Sequence, residues 1–111
     1  MSVSTVYPLY LAKVEKKQRS ANELNAAMCW LTGYSQQQID EHLEANTTFE
    51  DFFAGAALNP KAHLITGSVC GVKVQDIDDP LMQKIRYLDK LVEELAKSVP
   101  LDQVLRAGDQ D

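Results

Sequence analysis

Apolar residues recur along this chain at helical spacing in a series of separate stretches, most bounded by a start or stop signal. Val3, Val6, Tyr7, Tyr10, Leu11 and Val14 fall three and four apart, which predicts an amphipathic helix over residues 3–17. With Ser4 or Thr5 as its cap, Pro8 lies in the first turn, where a missing amide proton costs little. Ser20 and Glu23 have capping-box spacing and open a second helix with Leu24, Ala27, Met28 and Leu31 on one face, stopped by Gly33. Ser35 with Gln38 opens a third, carrying Ile39 and Leu43, with Tyr34 placed to staple onto Ile39. Thr47 with Glu50, or Thr48 with Asp51, opens a fourth that carries Phe49, Phe52, Phe53, Ala56 and Ala57. Asn59-Pro60 ends it and starts a single helical turn running to His63.

Residues 64–77 break the period. Gly67 and Gly71 interrupt β-branched residues, and Val72 and Val74 alternate with Lys73 and Gln75. This pattern fits a small hairpin or an irregular loop followed by a short helix, and spacing alone does not choose. Asp79-Pro80 is a cap followed by a first-turn proline, and it opens the longest helix, over about residues 79–97. There Leu81, Ile85, Leu88, Val92 and Leu95 alternate four and three apart and Leu91 widens the stripe. Two heptads are too few for a coiled coil, so the stripe is expected to face its own core rather than a twin. Pro100 breaks the helix, and Leu101, Val104 and Leu105 form a last short one. The expected fold class is all-α, a single compact domain of five to six helices over residues 1–107 with the long helix at its centre, followed by a polar tail over 108–111.

Composition agrees with one domain. The 111 residues are 45% hydrophobic and 24% charged, ordinary for a globular chain able to bury a modest core. The longest apolar run, from Ala26 to Leu31, is far short of the ~20 residues that span a bilayer, and no basic-then-apolar leader opens the chain. A cytoplasmic protein without membrane contact is expected. The net charge of −5 has the wrong sign for a nucleic-acid binder. Its distribution is uneven: residues 1–35 carry Lys13, Lys16, Lys17 and Arg19 against two acids, whereas residues 36–59 carry Asp40, Glu41, Glu44, Glu50 and Asp51 with no base. Such blocks are usually solvated helix faces and less often complementary patches for a partner or a second subunit.

Candidate chemistry is sparse. Cys29 and Cys70 stand alone, reading as reduced thiols, and no Cys-x-x-Cys or His-x-x-x-His spacing exists to hold zinc. Asp76, Asp78 and Asp79 lack the further ligands of a calcium loop, and an N-cap before Pro80 accounts for one of them. No metal and no cofactor is therefore expected. The stretch from Ser20 to Asn46 has the outline of a helix-turn-helix, but its second helix offers Asp40, Glu41 and Glu44 to phosphates and no base, so a plain helical hairpin is preferred. Cys29 sits in an apolar run and reads as inert. Cys70, between glycines, is the better candidate nucleophile, with His63 nearby in sequence.

Several strings match one family pattern: Tyr7-Pro8-Leu9-Tyr10, Trp30-Leu31-Thr32-Gly33-Tyr34, Leu58-Asn59-Pro60, Cys70-Gly71-Val72, Asp79-Pro80-Leu81-Met82 and Ile85-Arg86-Tyr87-Leu88-Asp89-Lys90-Leu91. Together they resemble the bacterial "domain of unknown function 2200" family, over nearly the whole chain from Val6 to Arg106. The resemblance implies a bacterial, cytosolic, stand-alone domain, and it counts toward Cys70 being more than an accident of this chain. It carries no activity, substrate or cofactor, so no catalytic residue is transferred by it.

The functional expectation is a non-enzymatic interaction domain that binds an unidentified protein partner or itself. Its candidate surface is Trp30, Tyr34, Asp40 and Glu44, with Arg86 as a further anchor. The first alternative is a small-molecule-binding or thiol-dependent protein with a pocket around residues 67–74, between Gly67 and Val74, using His63, Cys70 and Arg86. The second is a nucleic-acid-associated protein using Lys13, Lys16, Lys17 and Arg19.

Overall fold

The helix starts obey their caps. In a computed structural model, which describes residues 2–69 and 71–105, Ser20 accepts from the Glu23 amide while Glu23 accepts from the Ser20 amide. Ser35 and Gln38 repeat the arrangement. Thr48, of the two threonines available, caps the fourth helix by accepting from the Asp51 amide. Asp79 accepts from the amides of Leu81 and Met82 ahead of the longest helix. These bonds satisfy amide protons that the first turn of a helix leaves without partners.

The described residues form α1 (Val3–Glu15), α2 (Ala21–Thr32), α3 (Gln36–Glu44), α4 (Phe49–Ala54), a 3₁₀ turn (Pro60–Leu64), β1 (Ser68–Val69), β2 (Val72–Lys73), a second 3₁₀ turn (Val74–Asp76), α5 (Pro80–Ala96) and α6 (Leu101–Val104). The fold is all-α apart from that small antiparallel hairpin, in which Ser68 faces Lys73 and Val69 faces Val72. Residues 64–77 thus take the hairpin form, closed by the Val74 amide donating to Gly67 O at 2.9 Å. The polar tail from Gly108 and Arg106 lie outside the described residues.

α1 departs from the expected start. It begins at Val3 with Ser2 at the cap position, so Pro8 lies inside the helix rather than in its first turn. The cause is tertiary. Ser2 pairs with Thr48 in an isolated antiparallel bridge, the Val3 amide donates to Thr47 O at 2.8 Å, and Ser4 Oγ donates to Asn46 Oδ1 at 2.6 Å. An interior proline costs about 3 kcal/mol relative to alanine, and the Ser2–Thr48 clasp helps hold the helix against it. The helix also ends two residues early, with Gln18 turning the chain at φ +63°.

α5 is the central element, packed against α1, α2, α4 and α6. Leu88, Leu91, Val92 and Leu95 are fully buried among Leu24, Met28 and Leu31 of α2, Val14 of α1 and Phe52 and Phe53 of α4. The C-terminal part of its stripe therefore faces the chain's own core. α1 and α5 lie side by side with their N-terminal ends together: Tyr10 bonds Asp89, and Arg19, beyond the end of α1, reaches Leu95 O and Val99 O near the end of α5.

Candidate functional site

Followed toward its N-terminus, the stripe of α5 comes out of the core. Leu81 and Ile85 are only partly buried and Met82 is exposed. They form one wall of an open cleft of about 570 Å³, lined also by Arg86 and Asp89 of α5, Val6 and Tyr10 of α1, and Thr48, Phe49 and Glu50 at the start of α4. That volume lies in the range of small-ligand sites, roughly 300–1,000 Å³. The Ser2–Thr48 clasp holds the start of α4, which lines the cleft, against the start of α1.

The polar groups in the cleft hold one another. Tyr10 Oη donates to Asp89 Oδ1, and Arg86 Nη1 donates to Asp89 Oδ2 at 2.9 Å. Burial pushes the Tyr10 hydroxyl far above its ordinary range, and the neighbouring Asp89 charge pushes it further. A proton-bearing tyrosine beside an acceptor carboxylate is a stable donor, so this pair straps α1 to α5 beneath the apolar wall.

Of the residues singled out in the sequence, Arg86 lines this cleft and pairs with Asp89. Trp30, Tyr34, Asp40 and Glu44 lie elsewhere. Trp30 is half-buried against the core, and its carbonyl accepts from Asn59 Nδ2 at 3.1 Å. Tyr34 Oη donates to Phe52 O at 2.7 Å, and its ring packs on His42 and Phe52 with centroids 4.7 and 5.2 Å away. Asp40 and Glu44 are exposed on α3, and Asp40 accepts from Gln36. His63 is exposed, its Nδ1 donating to Pro60 O at 2.7 Å. Cys70 lies outside the described residues. Within the 67–74 segment, Gly67 and Val74 close the hairpin and Val72 is exposed.

The other candidates sort similarly. Cys29 is half-buried, and burial raises its thiol above the usual range, as suits a packing residue. Arg19 is withdrawn from the basic cluster, since its guanidinium is bound to Glu23 and to the end of α5, while Lys13, Lys16 and Lys17 remain exposed. Among the described residues there is no group of three His, Cys, Asp or Glu side chains placed to hold a metal ion, and no helix long and apolar enough to cross a membrane.

Sequence reasoning missed most of the cleft. Periodicity places Leu81 and Ile85 in the core with the rest of their stripe, and nothing local marks Tyr10 and Asp89 as partners. The one available signal was Met82, an apolar residue off the stripe.

Three of the strings behind the family resemblance, Tyr7-Pro8-Leu9-Tyr10, Asp79-Pro80-Leu81-Met82 and the string from Ile85 to Leu91, contribute to this cleft. Two others meet at a structural joint, where the Asn59 amide donates to Leu31 O at 3.0 Å and its side chain to Trp30 O. A comparison with curated proteins returned no match. Among solved structures the chain is similar to the crystal structure of uncharacterized protein SP1917, at 42% sequence identity and a TM-score of 0.92, over 100% of this chain and 92% of that one. The family model described as "Uncharacterized protein conserved in bacteria (DUF2200)" matches residues 1–106, and the chain belongs to that family.

Proposed function

We propose that this chain is a non-enzymatic interaction domain whose binding site is the cleft between α1, α4 and α5, which receives an apolar side chain of a protein partner. One observation carries the reading: the apolar stripe of α5, fully buried at Leu88, Leu91 and Leu95, is left open at Leu81 and Ile85, beside the exposed Met82. An apolar surface kept in water costs roughly 25 cal/mol per Å² relative to a covered one, so covering this wall favours association. The polar groups support binding rather than chemistry. Asp89 is engaged by both Tyr10 and Arg86, and the Tyr10 hydroxyl is held in its protonated form.

The test is an amide NMR titration of the full chain with N-acetyl leucine amide and N-acetyl phenylalanine amide, which mimic a partner's side chains. Shifts concentrated at Val6, Tyr10, Phe49, Met82 and Ile85, and lost in Met82→Asp, are expected. Shifts centred instead on Trp30 and Tyr34, or on the 67–74 hairpin, would overturn the choice of cleft. No shift at any accessible concentration would do the same.

A further inference from the structure

Beside the cleft stands a projecting apolar side chain that the cleft itself does not use. Leu9 is 66% exposed, the most exposed large apolar side chain among the described residues, and Met82 on the cleft wall is 42% exposed. Val6, Leu9, Lys13 and Lys16 follow one another three and four apart, so they form one ridge along the flank of α1 that borders the cleft. A knob and a hole therefore lie side by side on the same face.

The charges on that face are polarised. Glu50 lies at the cleft's α4 end, next to Asp51, and the Ser2–Thr48 bridge fixes that end to the start of α1. Lys13 and Lys16 are exposed on the same ridge, with Lys13 about 15 Å further along the helix at 1.5 Å per residue. Glu50 and Asp51 thus mark one end of the face and Lys13 and Lys16 the other, with Arg86 between them paired to Asp89, and with Glu93 of α5 within electrostatic reach of Lys13. A two-fold axis perpendicular to such a face brings the acidic end of one copy onto the basic end of its twin, and it brings each knob to the other's hole.

We propose that the occupant of the cleft is a second copy of this chain, with Leu9 of each protomer entering the cleft of the other about a two-fold axis. The inference rests on the cleft being the binding site. A foreign basic peptide would satisfy Glu50 and the apolar wall, but it would leave Leu9 in water. The twin covers both at once, and the exchange closes at two subunits.

Sedimentation equilibrium of the full chain tests this. A concentration-dependent monomer–dimer equilibrium that weakens with added salt is expected. Leu9→Asp should weaken it roughly tenfold or more, the scale of one buried leucine side chain. Its thermal melt by circular dichroism, at concentrations low enough for the parent to be monomeric, should be unchanged, because the position is exposed. Met82→Asp is the second variant, with the same expectation. The sharpest arm mixes Lys13→Glu/Lys16→Glu with Glu50→Lys. Each alone should be mostly monomeric, and native mass spectrometry of the mixture should show the mixed dimer in excess of either homodimer. A wild-type chain that stays monomeric at every concentration overturns the proposal, as does a dimer indifferent to Leu9→Asp. The fragment titration repeated on Leu9→Asp separates the two readings. Cleft shifts there with a monomeric wild type leave the binding site standing and the twin refuted. Cleft shifts with a lysine-rich, leucine-bearing peptide on that monomer identify a foreign partner instead.

Discussion

Tyr10 of α1 and Asp89 of α5, 79 positions apart in sequence, share a hydrogen bond beneath the open wall of the cleft. The bond ties the two helices where their apolar contact gives way to the cleft. Asp89 also accepts from Arg86 one turn earlier on its own helix, so one carboxylate orients a neighbour on each side. The cleft floor is thereby fixed before any partner arrives, which lowers the ordering cost of binding.

Replacing Tyr10 by Phe keeps the ring and removes the donor. The change should destabilise the fold by about 1 kcal/mol, since Asp89 loses a partner at a part-buried site. The same hydroxyl sets an alkaline limit. Its folded-state pKa is raised above the unfolded value of about 10. The folded state then binds more protons at high pH, so this contribution is complete below about pH 10 and is lost as pH rises beyond it. Urea melts from neutral to alkaline pH should show a shallower decline for Tyr10→Phe than for the parent. An equal slope would mean that Tyr10 ionises as freely as an exposed tyrosine.

Arg19 makes the opposite kind of strap, at the far end of the same two helices. Its guanidinium donates to Glu23 with two nitrogens, at 2.9 and 3.0 Å, and to Leu95 O and Val99 O at 3.1 and 2.8 Å. It ties the last turn of α5, where Leu95 O also accepts the Ser98 amide, to the segment that follows through Val99 O. Arg19→Ala should cost about 2 kcal/mol, and Arg19→Lys should recover only part, because an ammonium cannot reproduce the fork. Hydrogen bonding to Arg19 holds the Glu23 carboxyl below its ordinary value. That stabilisation is present above about pH 4.5 and is lost as pH falls through the lowered pKa. Acid unfolding of Arg19→Ala should accordingly be less steep than that of the parent over this window.

The local signals in this sequence were legible because their physics is local. Ser20 with Glu23, Ser35 with Gln38, Asp79 before Pro80 and Gly33 after α2 each act within one helical turn, and each stands where its spacing placed it. The start of α1 was misplaced because a backbone bridge from Ser2 to Thr48 decides it, across 46 residues. Arg19 read as part of a basic patch for the same reason, since its acceptors lie 76 and 80 positions away. Periodicity identified the stripe of α5, but not where along that stripe the covering helices stop. The cleft exists only in that difference.

Gly33 and Gly71 both hold left-handed conformations, at φ +76° and +81°, yet they differ in surroundings. A Cβ at Gly33 would lie 2.8 Å from Ala57 O, in the segment that returns to bond Thr32 O and Leu31 O. At Gly71 a Cβ would meet no atom within 4 Å among the described residues beyond its chain neighbours. Both alanine substitutions incur the left-handed penalty of about 1–2 kcal/mol. Gly33→Ala should cost clearly more than Gly71→Ala, because backbone at Ala57 must move as well. Chemical denaturation of the pair checks the order, and equal losses would show that the 57–59 segment yields freely.

Ile85 and Leu88 stand three apart on one stripe of α5, one at the cleft and one in the core. Leu88 is fully buried, so Leu88→Ala leaves a cavity and should cost roughly 2–5 kcal/mol. Ile85 already faces the cleft on one side, and truncating it mainly enlarges a space that water or a partner can enter. Ile85→Ala should therefore cost well under half of the Leu88→Ala penalty in the dilute, unliganded chain. Under conditions where the cleft is filled the gap should narrow, because the bound state then loses the contacts that Ile85 gives its occupant. Melts of both variants at low and high protein concentration, and with saturating N-acetyl leucine amide, measure that change. A fixed difference under all conditions would mean that the open end of the stripe is never covered.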